Sequence, residues 1–244
     1  MPQELDDWHV RAGGYVPRPS FDAYAEKYSR YFAMRRRDGI IELRMHTDGG
    51  PARFGFAVHN AWAQAWQEVG NDPDRDFVYE HGFYDATKLL ENFVFGIDIP
   101  TIAAINGPSA AHTEFALLCD ITLAAETATI IDPHLLAGAA PGDGQQLTLQ
   151  ELIGTKRAAY HLYTGQPIDA RQALELGLVN EVLPADRLLP RAWEIAEAIM
   201  KAPRTARRLT HAIAQRPWKR RLVQDLGFGI AHEMFGIQAD RLFG

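Results

Sequence analysis

Apolar and polar side chains alternate from Ile40 to His46, with Ile41, Leu43 and Met45 on one side and Glu42, Arg44 and His46 on the other. A period of two is that of a half-buried strand. A second run, Tyr31 to Arg36, lies across Asp38-Gly39, a dipeptide suited to a two-residue turn, so the segment predicts a β-hairpin. From Ala57 to Val69 the spacing changes: Ala61, Trp62, Ala65, Trp66 and Val69 recur every three or four residues, predicting a helix with an aromatic face that Asn71-Asp72-Pro73 ends. Another amphipathic stretch, about Tyr79 to Phe95, carries Phe83, Thr87, Leu90 and Val94 on one side and leads into a buried strand over 100–105. Short β-rich runs follow at 121–124, 128–131 and 178–182. Helical patterns occupy 145–163, 170–176 with Asp169 as N-cap, 188–200, and 206 to the end. Strands alternating with helices, then a helical tail, predict an α/β fold with a helical C-terminal region. The first 25 or so residues, rich in Pro, Gly and acidic groups without periodicity, read as an irregular arm, wrapped on a neighbouring subunit or hanging free.

Composition narrows this picture. The 244 residues are 47% hydrophobic and 23% charged, which excludes wholesale disorder, collagen-like repeats and coiled coil. Twenty-five basic against 31 acidic side chains leave a net charge of −6, so nucleic acid is not an expected partner. One cysteine, Cys119, can make neither an intrachain disulfide nor a cysteine-based zinc site. No run approaches the ~18 apolar residues of a membrane span, and the acidic stretch from Met1 to Tyr15 lacks the pattern of a secretory leader. A cytoplasmic protein without membrane partners is expected.

Chemistry concentrates between Asn106 and Gly144. Asn106-Gly107-Pro108 closes a strand, and Ala110 to Asp120 opens a helix; small residues there let backbone approach a ligand, and unpaired N–H groups at a helix start favour a developing negative charge. Asp132 to Gly144 then sets His134 and Asp143 in a Gly/Pro/Ala-rich stretch where backbone can line a pocket. A neutral imidazole is suited to taking a proton from water, and a carboxylate on its other nitrogen would fix the tautomer, so His134 with Asp143 forms a candidate dyad. On chemistry alone a histidine such as His112 is more often a structural hydrogen-bonding residue than a catalytic one. His112, His134 and Asp143 or Glu233 have the ingredients of a metal site without its usual tight spacing, so no metal is assigned. His9, His46, His59, His81, His161 and His211 do not cluster and read as structural. The basic stretch from Arg204 to Arg221 reads as a solvated helix face or subunit contact rather than a phosphate site, and Trp62 and Trp66 as core or interface.

The Asn-Gly-Pro turn, the Glu-containing segment ending in Cys119-Asp120, the loop through Pro141-Gly142-Asp143-Gly144, and the run from Tyr160 to Pro184 together resemble the crotonase (enoyl-CoA hydratase/isomerase) superfamily, over roughly residues 34–244. The resemblance implies a crotonase-like ββα spiral core over 29–190 after an arm of 1–28. It also implies a helical trimerisation region over 191–244, in a homotrimer or dimer of trimers.

Hydratases of that superfamily use two glutamates. The first survives as Glu114; the second position holds His134. That replacement, with Asp143, His112, and Glu233 following His232, is similar to the β-diketone hydrolases of the 6-oxocamphor hydrolase type. The likeness implies cofactor-independent hydrolysis of a cyclic, bicyclic-type β-diketone to a keto acid by a retro-Claisen reaction. In it His134, Asp143, His112 and Glu233 are catalytic: His134 activates water, His112 and backbone near Ala111 hold the oxyanion, and Glu233 orients substrate or water. Ala111, Phe54 and Glu114 are expected around the substrate, Glu114 in a supporting role. Phe54 stands near a position where the camphor-type enzyme has a tryptophan, and phenylalanine cannot donate a hydrogen bond, so the diketone accepted or its orientation should differ. Two alternatives stand beside this reading: an acyl-CoA hydratase or isomerase working through Glu114, and a non-catalytic binding protein on the same fold.

One stretch departs from the family pattern. Phe77 runs directly into Val78-Tyr79-Glu80, where relatives place a buried strand and an oxyanion-hole loop. Losing a central strand would leave unpaired edges in a sheet, which favours residues hidden at this junction; an intact mass of 27.3 kDa would refute that expectation.

Overall fold

The computed structural model describes residues 20–38, 40–53, 55–71 and 88–243. Position 54 and the Phe77–Val78 junction lie outside these residues, as does the first half of the helix read over 79–95. The chain divides into two compact units, one ending at Asp98 and the other beginning at Ile99.

Among the described residues of the first unit, a helix comes first where irregular chain was expected: α1, Phe21–Lys27, whose Tyr24 is buried. The hairpin forms as read. Strands β1 (Phe32–Arg37) and β2 (Ile40–Met45) pair antiparallel with Arg37 opposite Ile40, and Asp38 takes the positive φ of 50° that such a short turn requires. Its alternation is blurred, because Met45, expected inside, is exposed. Helix α2, Phe56–Asn71, buries the predicted face: Trp62, Ala65, Trp66 and Val69 are all below a tenth exposed. Phe32 stacks at 5.6 Å on Trp62 and 5.3 Å on Trp66, and Trp66 meets Phe93 edge-on at 5.3 Å. Phe93 belongs to α3, Leu89–Gly96. These rings are core, as expected.

In the second unit β3 (Ile102–Ile105), β4 (Pro108–Ser109), helix α4 (Glu114–Leu117), β5 (Ile121–Ala125) and β6 (Thr129–Ile130) follow in order. After a 3₁₀ turn at Leu135–Ala137 come α5 (Gln145–Ile153), α6 (Thr155–Thr164), β7 (Ile168–Asp169), α7 (Ala170–Leu176) and β8 (Glu181–Leu183). Helices α8 (Ala185–Met200), α9 (Arg204–Ala214) and α10 (Arg216–Phe243) complete the chain. The single helix read over 145–163 is broken at Gly154, whose φ of +81° no helix accommodates. Asp169 caps α7 as expected, within a reciprocal capping box with Gln172.

Parallel strands β3, β5 and β8 form one sheet, and β4, β6 and β7 a second. Ala124 of β5 joins Leu149, Ile153, Ala158 and Ala173 from α5, α6 and α7 in one apolar cluster, while Leu123 and Ala125, also almost wholly buried, pack with Leu188 of α8 in another. The second sheet matters for chemistry. Ser109 pairs with Ile130, and the Ile131 N–H donates to the Ser109 carbonyl at 3.2 Å, so the segments leaving β4 and β6 emerge side by side. No helix among the described residues is long and apolar enough to cross a membrane.

A buried polar clamp ties α9 to the end of β3. Asp120 accepts hydrogen bonds from His211 Nδ1 (2.8 Å), Thr101 N–H (2.8 Å) and Thr101 Oγ1 (2.9 Å), while Gln215 reaches the Leu118 carbonyl at 3.0 Å. Burial opposes the Asp120 charge, but the His211 hydrogen bond and the Thr101 N–H outweigh it and hold its pKa below the ordinary value. A depressed carboxylate stabilises the fold above its unfolded pKa and ceases to do so as pH falls through the folded value. Replacing Asp120 with Ala should therefore cost about 3 kcal/mol at neutral pH in chemical denaturation, and the wild-type advantage should disappear on acidification below the usual carboxylate range.

Candidate active site

The two segments leaving β4 and β6 carry the histidines. Three residues beyond Ser109, His112 adopts φ 52°, a left-handed conformation costing a non-glycine residue about 1–2 kcal/mol. The helix that opens here is short, four residues, and buries Glu114 completely. His112 Nδ1 donates to Glu114 Oε1 at 2.7 Å. Glu114 thus lies behind the imidazole, 1% exposed, a placement that suits the supporting role expected of it; its Oε2 has no partner among the described residues. The Ala111 backbone N–H, immediately before His112, donates to no acceptor among the described residues.

From β6 the chain enters Asp132-Pro133-His134. Asp132 Oδ1 accepts the His134 backbone N–H at 3.0 Å, the side-chain-to-backbone turn that aspartate favours, and the same oxygen accepts His134 Nδ1 at 3.0 Å. Asp132, fully buried, is therefore the carboxylate that orients the His134 ring through Nδ1, not Asp143 as expected. The reason is local: two residues' separation in an Asx-type turn reaches Nδ1 directly. The sequence held this signal in Asp-Pro-His, and pairing His134 with Asp143 overlooked it.

Asp143 has a different place. Its Oδ2 lies 3.5 Å from His134 Nε2 and 3.4 Å from His112 Nδ1, between the two rings. Glu233, on α10, brings Oε1 to 3.9 Å from His134 Nε2. The four residues expected to be catalytic are brought together. Asp132 and Glu114 complete a group in which four carboxyl groups surround two imidazoles.

That excess of acid decides the protonation states. Burial opposes a charge on His134, but hydrogen bonds to Asp132 and Asp143 outweigh it and push the ring up to about 11. For His112 the same contest, burial against Glu114 and Asp143, also ends in an upward shift. Burial works against the Asp143 carboxylate, yet the His134 hydrogen bond and the His112 charge keep its pKa lowered. Glu114 is shifted up by burial and by repulsion from Asp143. Glu233, pushed the same way by burial and by Asp143, reaches about 7. The free site therefore holds an imidazolium at His134, not the neutral base expected from an isolated histidine, and the group poised to accept a proton near neutrality is Glu233.

Two sets of side chains, His112 with Glu114 and Asp143, and His134 with Asp143 and Glu233, bring possible ligand atoms within 4.8 Å of one another. Asp143 belongs to both. Outside this site, His211 belongs to the Asp120 clamp, and Arg207 Nη1 caps the Met200 and Ala202 carbonyls at 2.8 Å, a structural use of part of the basic stretch.

Residues 67–236 match the family model described as enoyl-CoA hydratase/isomerase. Among curated proteins, the chain is 36% identical over 157 residues to a probable enoyl-CoA hydratase of Mycobacterium leprae, covering 64% of this chain and 58% of that protein. It is 30% identical over 192 residues to a carnitinyl-CoA dehydratase of Citrobacter koseri, covering 77% and 70%. Against several curated relatives it spans about half of their length. Among solved structures, a β-diketone hydrolase of Anabaena sp. PCC 7120, bound to (S)-3-oxocyclohexyl acetic acid, superposes with TM-score 0.81 at 32% identity, covering 91% of this chain and 98% of that one.

Nuclear magnetic resonance of labelled histidine should find His134 protonated through neutral pH, with its midpoint near 11. Asp132→Asn removes one of the two carboxylates beside the ring and should bring that midpoint down toward the ordinary histidine range. A His134 that titrates near 6.5 in the wild type would contradict the charge assignment.

Proposed function

The chain belongs to the enoyl-CoA hydratase/isomerase family, and within it we propose that this protein hydrolyses a carbon–carbon bond of a cyclic β-diketone, giving a keto acid. One observation carries the reading: an imidazole, clamped by Asp132 and facing Asp143 and Glu233, stands where a hydratase of this family needs its second glutamate, while the first, Glu114, is sealed behind His112. A hydratase needs both carboxylates against its substrate. The likeness to the Anabaena hydrolase supports the same reading.

The reaction divides among the residues as their charges allow. Glu233, as carboxylate, takes a proton from water, and the hydroxide adds to one carbonyl carbon. The resulting alkoxide is held by the His112 imidazolium, which Glu114 orients, and by the Ala111 N–H. As the carbonyl re-forms, the bond to the carbon between the two ketones breaks and its electron pair passes into an enolate. The His134 imidazolium stabilises that enolate and protonates its carbon; the proton on Glu233 then returns to His134 across 3.9 Å. Water and diketone are consumed, keto acid is formed, and every group is restored. None of these steps calls for a cofactor.

The bridged bicyclic diketone that opens with water to 3-oxocyclohexyl acetic acid is a suitable first substrate. Turnover should have a rising limb near pH 7, because below that value Glu233 is protonated and cannot accept a proton. Glu233→Gln should remove the limb and lower kcat by about a hundredfold, and His134→Ala by about a thousandfold. Activity should persist in excess chelator. Turnover of crotonyl-CoA that survives His134→Ala but not Glu114→Gln would replace this reading with that of an acyl-CoA enzyme.

Exposed apolar residues on α9 and α10, including Leu209, Ile213, Val223, Phe228 and Phe235, support assembly into a homotrimer or dimer of trimers. Sedimentation should then report three or six times the mass of the denatured subunit.

A further inference from the structure

Helix α10 contains three glycines, a residue that weakens a helix interior, and they differ in what surrounds them. A Cβ built on Gly227 or Gly236 meets nothing within 4 Å. On Gly229 it would collide with the Gly142 carbonyl oxygen and come within 2.5 Å of Gln146 Nε2. The relation is reciprocal: a Cβ on Gly142 would strike the Gly229 carbonyl and approach Glu233 Cβ to 2.8 Å. The backbone of the terminal helix thus rests directly on the backbone of the Pro141–Gly144 turn, with no side chain between. The turn is pinned in its own right, since Gln146 Oε1 accepts the Gly144 N–H at 3.0 Å and Thr148 Oγ1 donates to the Gly144 carbonyl at 2.9 Å.

Asp143 is the next residue after Gly142, and Glu233 lies one helical turn after Gly229. We propose that the Gly142–Gly229 backbone contact is a positioning device that sets how close Glu233 stands to Asp143 and His134, and so makes it the proton acceptor of the reaction. The catalytic consequence rests on the hydrolase reading above; the positional consequence does not. Neither glycine touches the reacting atoms. Each acts by withholding one methyl group from a contact that has no room for it, so that carboxylates from two distant stretches of chain share one site.

The test compares alanine at 229 with alanine at 227 and 236 on the same helix. All three remove a helical glycine; only one meets backbone. In Gly229→Ala the helix must back away from the turn, drawing Glu233 from the field of Asp143. Carbon-detected titration of glutamate side chains in the free protein should show Glu233 moving from about 7 toward the ordinary carboxylate range. In Gly227→Ala and Gly236→Ala it should not move. With the bridged diketone, Gly229→Ala should lose about a hundredfold in kcat, and the rising limb of the pH profile should shift to lower pH. KM should change little, and the two control variants should match the wild type.

Gly142→Ala, which invades the same contact from the turn, should reproduce the titration shift. The proposal is overturned if folded Gly229→Ala leaves the Glu233 midpoint in place, or if Gly227→Ala moves it equally. It is also overturned if Gly142→Ala and Gly229→Ala both fail to fold, because the contact would then govern folding and not the placement of Glu233. Inactivity of the wild type on every diketone, with the titration shift intact, would instead sink the hydrolase reading alone.

Discussion

The site depends on one carboxylate oxygen shared between two rings. Asp143 Oδ2, 3.4 Å from His112 and 3.5 Å from His134, is the only atom among the described site residues with an ion-pair contact to both imidazoles. Two cations this close would repel each other; an anion between them lets both stay charged. The remaining acids then sort themselves by their distance from that centre. Asp132 and Glu114 each hold a ring from behind, and Glu233, beside Asp143 and 3.9 Å from the nearer ring nitrogen, is pushed up to about 7 by burial and by the Asp143 charge. Four carboxyl groups gathered round two imidazoles thus give side chains of ordinary chemistry opposite tendencies, one ring holding its proton and one carboxyl titrating near neutrality.

The scaffold meets this demand with little regular structure. Strands β4 and β6 are two residues long, and their ladder serves to launch two irregular segments in parallel. Long strands would continue past the point where the histidines must turn inward. The buried apolar cluster lies elsewhere, on β5 and the helices packed on it, so the stretch that carries the histidines is anchored at its ends and free to be irregular between them.

Much of this was legible in the chain. Hairpin, aromatic helix and Asp169 cap are local patterns, and each formed because its periodicity or cap chemistry needs no distant partner. The family and the four clustered residues were reached through the resemblance of several motifs to a known superfamily, since on chemistry alone only His134 with Asp143 stood out. What escaped was what depends on approach in space. Asp132 was hidden by attention to the more distant acid, although its own turn points at the ring. The charge on His134 could not be read from one carboxylate neighbour, because it takes several together to outweigh burial. The supporting role of Glu114 could be read, but not its partner: that it holds His112 follows from the short helix α4 that buries it two residues on. Gly229 is indistinguishable in the sequence from Gly227 and Gly236, since only the far side of the contact tells them apart.

The left-handed backbone at His112 sets robustness against the side chain. A conformation that suits glycine carries an imidazole here, so the residue is held against its own preference. Glycine in its place would relieve the backbone and remove the ring. A screen for thermal tolerance alone would therefore discard the very group around which Glu114 and Asp143 are gathered.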